Sequence, residues 1–250
     1  MSSSEEQNIK EEALLEAPVT VGRWRAVRRL WRAEAIYVVA LGAFAILAVF
    51  AYIDPYFSWD LKVSTAFNWK SFSPPGVFEF MRFMSSFGNR WTPYLLTTAT
   101  VIIFLLFRRR SEAAGLIMST AGSGLINSLL KLSISRPRPS PDLLPIYHDW
   151  ATQSFPSGHV TFYVCYFGFL FFVAYALLLP ASSARRLALV LTGLPVVLIG
   201  FSRVYLGAHW PSDTIGAYLW SGVWLGFSLE MYRRWKAHRT FYPLEKVVSK

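Results

Sequence analysis

Apolar residues in this chain run in six long blocks separated by polar segments, without the short alternation of a soluble strand or the one-sided stripe of a soluble helix. A helix rises 1.5 Å per residue and a bilayer core is about 30 Å thick, so about 20 apolar residues make one span. The blocks predict spanning helices over about 35–53, 91–107, 113–132, 159–179, 187–201 and 213–232, the second and fifth being short. The segment 54–90 is too long for a turn. It interleaves Phe57, Trp59, Phe67, Trp69, Phe72, Phe78, Phe80, Phe83 and Phe87 with charges, a mixture suited to amphipathic pieces lying in a membrane interface. The third block carries Gly115, Ser119, Gly122, Ser123, Gly124 and Ser128, small residues that let helices approach closely.

Composition agrees with this pattern. Hydrophobic residues make up 54% of the 250 and charged residues 16%, against about 25% charged in a soluble domain. A net charge of +10 would suit nucleic acid, but its distribution argues otherwise. Six Lys/Arg precede the first span, Arg108, Arg109 and Arg110 follow the second, Arg185 and Arg186 follow the fourth, and six follow the last. The opposite face keeps Lys62, Lys70, Arg82, Arg90, Lys131, Arg136, Arg138 and Arg203. This asymmetry places both termini in the cytoplasm and the loops after spans one, three and five outside. The expected organisation is a cytoplasmic segment 1–34, a six-span domain 35–232 and a cytoplasmic tail 233–250. The first twenty residues hold several glutamates and no short apolar region with a cleavage site, so the first block is expected to remain as an anchor. Cys165 lies inside a block, has no intrachain partner and says nothing of compartment.

Polar groups at membrane depth are costly and tend to mark function. Here they gather in three clusters: Lys131 to Pro139 after span three, Ser154 to His159 opening span four, and Ser202 to Asp213 linking spans five and six. Span parity puts all three on the outer face. Lys131, Arg138 and Arg203 can offer three cations to a tetrahedral anion. Pro156-Ser157-Gly158-His159 reads as a helix start whose N–H groups, with the Ser157 hydroxyl, suit anionic oxygens. If the last helix begins near Pro211, Asp213 reaches back to an imidazole N–H of His209 and leaves the other nitrogen free to attack. Asp142, His148 and Asp149 read as solvated loop residues.

Together the clusters resemble the tripartite signature of the type 2 phosphatidic acid phosphatase (lipid phosphate phosphatase) superfamily, KxxxxxxRP, PSGH and SRxxxxxHxxxD, with every defined position matched over 131–213. The resemblance implies the membrane branch of that family: an all-α, six-transmembrane bundle with a four-helix catalytic core and an outward site. It implies that His209 is the nucleophile of a phosphohistidine route, that Asp213 orients it, and that His159 is general acid and then base. Lys131, Arg138, Ser157, Gly158 and Arg203 would hold the phosphoryl oxygens. No metal or other cofactor is required by this constellation. Arg136 lies outside the signature and receives no role.

The expected partner is a lipid phosphate in a bacterial inner membrane: phosphatidic acid, phosphatidylglycerol phosphate or a polyprenyl pyrophosphate. A phosphotransferase using the same site is the nearest alternative. Vanadium haloperoxidases share the signature but are soluble. A transporter fits poorly, because the charges gather on one face instead of crossing the membrane.

Overall fold

The computed structural model describes residues 18–148 and 152–241. Among the described residues the chain is all helix: α1 (Pro18–Ile53), α2 (Ser58–Ala66), α3 (Val77–Ser86), α4 (Thr92–Leu106), α5 (Arg110–Ile134), α6 (Gly158–Leu177), α7 (Ser183–Tyr205) and α8 (Pro211–Phe241). The chain divides into two compact units, residues 1–42 and residues 43–250. Among the described residues the first holds 18–42 of α1, and the packing and the site described below belong to the second.

Each expected block has a helix, and the greater length of α7 has a local cause. α7 extends past both ends of the apolar block 187–201. Ser182 caps it by accepting from Arg185 N at 3.1 Å, and the backbone stays helical through Ser202-Arg203-Val204-Tyr205. Hydropathy sees only the apolar middle. Four helical stretches are long and apolar enough to cross a membrane: Glu34–Ile53, Arg110–Ile134, Gly158–Leu177 and Ser183–Tyr205; Thr92–Leu106 is a shorter apolar helix. Its 15 residues reach only about 22 Å at 1.5 Å each. Large apolar side chains stay exposed along these helices, among them Leu95, Ile102 and Ile103 on α4 and Val190, Leu191, Leu194 and Val197 on α7. Such a surface suits hydrocarbon, not water. The aromatic segment 54–90 forms the two short helices α2 and α3.

α6 is apolar on all sides and packs against α5, α7 and α8. α5 also packs against α4 and α8, α3 against α7, and α2 against α8. One core cluster joins Leu116, Tyr166, Phe169, Val173 and Tyr232; another joins Val160, Tyr163, Val164, Ile199 and Ala217. The small residues of α5 divide their work. A side chain at Gly115 would strike Phe169, and one at Gly122 would strike Trp224, whose Nε1 donates to Ser119 O at 3.1 Å. Gly124 has open space before it, and Ser123, Gly124 and Ser128 line a cavity. Close packing therefore explains only part of that pattern. At the far end of the bundle, buried Glu112 accepts from Lys236 Nζ at 2.8 Å and Tyr232 OH at 3.2 Å, tying α5 to α8.

Pro195 sits inside α7 and cannot donate to the helical ladder. One step further on, Tyr218 OH enters that ladder, donating to Val196 O at 2.6 Å and accepting from Gly200 N at 3.1 Å. A side-chain hydroxyl inserted next to a proline is a recognised cause of local helix opening. It also fastens α8 to the part of α7 that leads to Arg203.

Candidate active site

The site is built where four chain segments end on one side of the bundle. α5 stops at Ser135, which adopts the left-handed conformation (φ 51°), and Pro137 and Pro139 prevent its resumption. The strand of loop that follows is pinned by Ser154 N donating to Arg136 O at 2.8 Å. α7 ends at Tyr205, and the chain turns at Gly207 (φ 67°), where a side chain would collide with Pro145 O. Only glycine fits that turn, which delivers His209 to the site. α8 then begins at Pro211, as its position predicts. Asp213 Oδ2 accepts from Trp210 N at 2.9 Å, so one carboxylate both caps the helix and faces His209.

His209 is buried. Its Nδ1 lies 3.4 Å from Asp213 Oδ2 and 3.4 Å from Ser154 Oγ, which itself donates to Asp213 Oδ2 at 2.5 Å. Its Nε2 lies 3.2 Å from Arg138 Nη1. A guanidinium only donates, so Nε2 presents its lone pair and Nδ1 carries the proton toward Asp213. Burial, then Arg138, Lys131 and Arg203, hold this imidazole well below the ordinary histidine range. It is neutral at physiological pH.

The cations arrive from three elements. Lys131, in the last turn of α5, donates to Ser154 O at 3.2 Å and to Gln153 O. Arg138 is braced by Thr152 O and Ala208 O, both at 2.7 Å, and by Thr152 Oγ1 at 2.9 Å. Burial pushes it down to about 10, with Asp213 pulling the other way, so it keeps its charge at neutral pH. Arg203 is buried and donates to Ser85 Oγ of α3 at 2.5 Å. His159, in the first turn of α6, places Nε2 2.9 Å from Asn89 Oδ1. Lys131, Arg138, Gly158, His159, Arg203 and His209 all line one cavity of about 960 Å³.

Two expected positions differ in detail. Pro156 precedes α6 instead of occupying its first turn; Ser157 is the N-cap and Gly158 the first helical residue. Ser157 lies behind the cavity wall, not on it, and its buried Oγ has no hydrogen-bond partner among the described residues. His148 is an exposed loop residue, as expected, and it also lines the cavity, because the loop 141–148 folds back over Leu206 through Tyr147 N. Asp142 is exposed, as expected, and Asp149 lies outside the described residues. Sequence reasoning missed Asp60, Asn89 and Arg136. Arg136 is a visible charge beside the signature, but its partners lie far away in the chain. Asp60 and Asn89 stand in the aromatic segment with no local pattern to single them out. Among the described residues, no three His, Cys, Asp or Glu side chains gather as metal ligands would.

A model of the PAP2 superfamily matches residues 112–237, which contain all three clusters. The chain belongs to the PAP2 superfamily. This PAP2 chain is 31% identical over 236 residues to a lipid A 1-phosphatase from Rhizobium johnstonii, covering 82% of the chain and 86% of the relative. It is 32% identical over 127 residues to phosphatidylglycerophosphatase B from Bacillus subtilis, covering 50% of the chain and 61% of that relative. The fold resembles the crystal structure of a transmembrane PAP2-type phosphatidylglycerolphosphate phosphatase from Bacillus subtilis, with a TM-score of 0.66 at 26% identity. That similarity covers 79% of this chain and 96% of the other. With a transmembrane relative of the same fold and its own exposed apolar helices, this PAP2 protein is a membrane protein.

Proposed function

We propose that this protein is an integral-membrane phosphatase that hydrolyses lipid phosphate monoesters or pyrophosphates through a phosphohistidine intermediate on His209. The observation that carries the reading is the convergence of Lys131, Arg138, Arg203, His159 and His209 on one cavity, with the lone pair of His209 Nε2 directed at the cation Arg138 and the Nδ1 proton directed at Asp213. Relatives acting on lipid A and on phosphatidylglycerophosphate support a lipid substrate.

In the proposed reaction, Lys131, Arg138 and Arg203 bind the phosphoryl oxygens, helped by the N–H groups that open α6 and have no intrahelical acceptor. His209 Nε2 attacks phosphorus as the bond to the lipid oxygen breaks. His159 gives that oxygen its proton and Asp213 balances the charge gained by the imidazole. Water then attacks the phosphorus, His159 takes its proton, and the P–N bond breaks to release phosphate. The cations neutralise the transferring group. The substrate class is phosphatidic acid, phosphatidylglycerol phosphate or a polyprenyl pyrophosphate. We place six spans in a bacterial inner membrane, α2 and α3 in its interface, both termini in the cytoplasm and the site on the outer side. The charge asymmetry of the loops supports that orientation.

Phosphate release from a panel of these lipids by purified protein in detergent tests the reading. Turnover is expected to vanish in His209→Gln, and acid-labile phosphate should be trapped on wild-type His209 but not on the variant. Full turnover by a folded His209→Gln would end the proposal.

A further inference from the structure

Behind the cavity lie two charged residues, Arg136 and Asp60, that the proposed reaction does not use. Arg136 sits between two carboxylates, Nη1 2.7 Å from Asp213 Oδ1 and Nη2 2.9 Å from Asp60 Oδ2, and all three side chains are fully buried. Arg136 also donates to Ser212 Oγ at 2.7 Å and to Pro55 O at 3.2 Å, and it lies over the Phe57 ring. Asp60 accepts in turn from Ser212 N at 2.9 Å, Ser212 Oγ at 2.7 Å and Phe57 N at 3.2 Å. Every oxygen of Asp213 is thereby assigned. Oδ1 belongs to Arg136, while Oδ2 takes Ser154, Trp210 N and the imidazole.

This arrangement answers an electrostatic problem. A buried carboxylate with no partner favours its neutral form, and a neutral acid cannot balance an imidazole that gains positive charge on phosphorylation. A guanidinium paired with Asp213 alone would keep it ionised but would cancel the charge that His209 needs. With Asp60 on its other side, Arg136 belongs to a group of two carboxylates and one guanidinium whose net charge is negative. We propose that Arg136 and Asp60 are positioning residues for the reaction: Arg136 locks Oδ1 so that Oδ2 faces His209 Nδ1, and Asp60 shares the guanidinium so that Asp213 remains a strong acceptor. The proposal rests on His209 being the nucleophile. It assigns a role to α2, which brings Asp60 to the base of α8.

The experiment is a mutant cycle on the purified protein, with phosphate release from phosphatidic acid in detergent and thermal melting read in parallel. Arg136→Lys and Asp60→Asn should each lower kcat by roughly tenfold to a hundredfold, the range for removing a partner that orients a working imidazole, with KM little changed. In an Asp213→Asn background the same substitutions should lower the residual kcat less than about threefold, because the carboxylate through which they act is gone. Equal losses in both backgrounds, or wild-type kcat in a folded Arg136→Lys, would overturn the proposal. If Arg136→Lys does not fold, Asp60→Asn carries the same cycle, and the same two outcomes decide it. His209→Gln is run alongside: if it stays active, the nucleophile reading has failed; if it is dead while the cycle shows no coupling, only this inference has failed.

Discussion

Gly88 offers a sharp test of His159. A side chain built at residue 88 would place its Cβ 2.9 Å from His159 Cγ and 3.1 Å from Nε2, with Cδ2 closer still. Ordinary contacts begin near 3.4 Å, so in Gly88→Ala the imidazole must retreat by about 0.5–1 Å. It has somewhere to go, because both residues line the open cavity, and the overpacking cost should stay at or below the usual lower bound of about 1 kcal/mol. Catalysis has no such slack. A misplacement of about 1 Å in a reacting group costs on the order of a hundredfold in rate, or about 2.7 kcal/mol of barrier. The expected outcome is a melting temperature within a few degrees of wild type and kcat for an alkyl phosphate down by roughly a hundredfold. An aryl phosphate separates the two roles of His159. Its leaving group departs without a proton, so His209 should still be phosphorylated, and the variant should accumulate phosphohistidine while water activation lags. Normal turnover of alkyl substrate by Gly88→Ala, with His159 still essential, would refute the pose of His159 and the reasoning built on it.

Other consequences are equally accessible. Because His209 is held below its ordinary value by burial and three cations, the unfolded chain binds its proton first as pH falls. Its stabilising contribution is therefore complete above about pH 6.5 and is lost on acidification toward its depressed folded value. His209→Gln should flatten the acid-side fall in melting temperature; an unchanged slope would show that another group governs it. The cations are expected to serve where a metal otherwise would, so activity should survive exhaustive chelation, and loss of activity without loss of fold would contradict the mechanism. Glu112→Gln removes the charge that buried Glu112 offers to Lys236. Because that lysine is partly exposed, the cost should be about 1–2 kcal/mol, below the value for a fully buried pair. It should appear in the melting temperature and leave kcat unchanged.

The signature residues are legible because each cluster is local. Lys131 and Arg138 flank one helix end, Gly158 and His159 open one helix, and His209 and Asp213 are joined by one helix start. Hydropathy and charge bias need no tertiary contact to be read. Arg136 is visible but mute, since its meaning depends on Asp60, 76 residues away. Asn89 has the same character, as its contact with His159 spans 70 residues. The small residues of α5 all suggest packing by their spacing, yet Gly124 opens on the cavity, because spacing on a helix does not say which neighbour stands opposite.

An all-helical membrane chain, the family, and the residues proposed for the chemistry can be read from the residues alone, for a physical reason. Apolar length, helix caps and charge bias act over a few residues, and the groups that meet a phosphate must be of particular types at fixed local spacings. Which nitrogen of His209 presents its lone pair, what braces Arg138 and Arg203, and the buried guanidinium that holds Asp213 from behind all emerge from the packing of the fold. Those facts depend on which distant segments are packed together, and burial gives each contact a strength that no local pattern encodes.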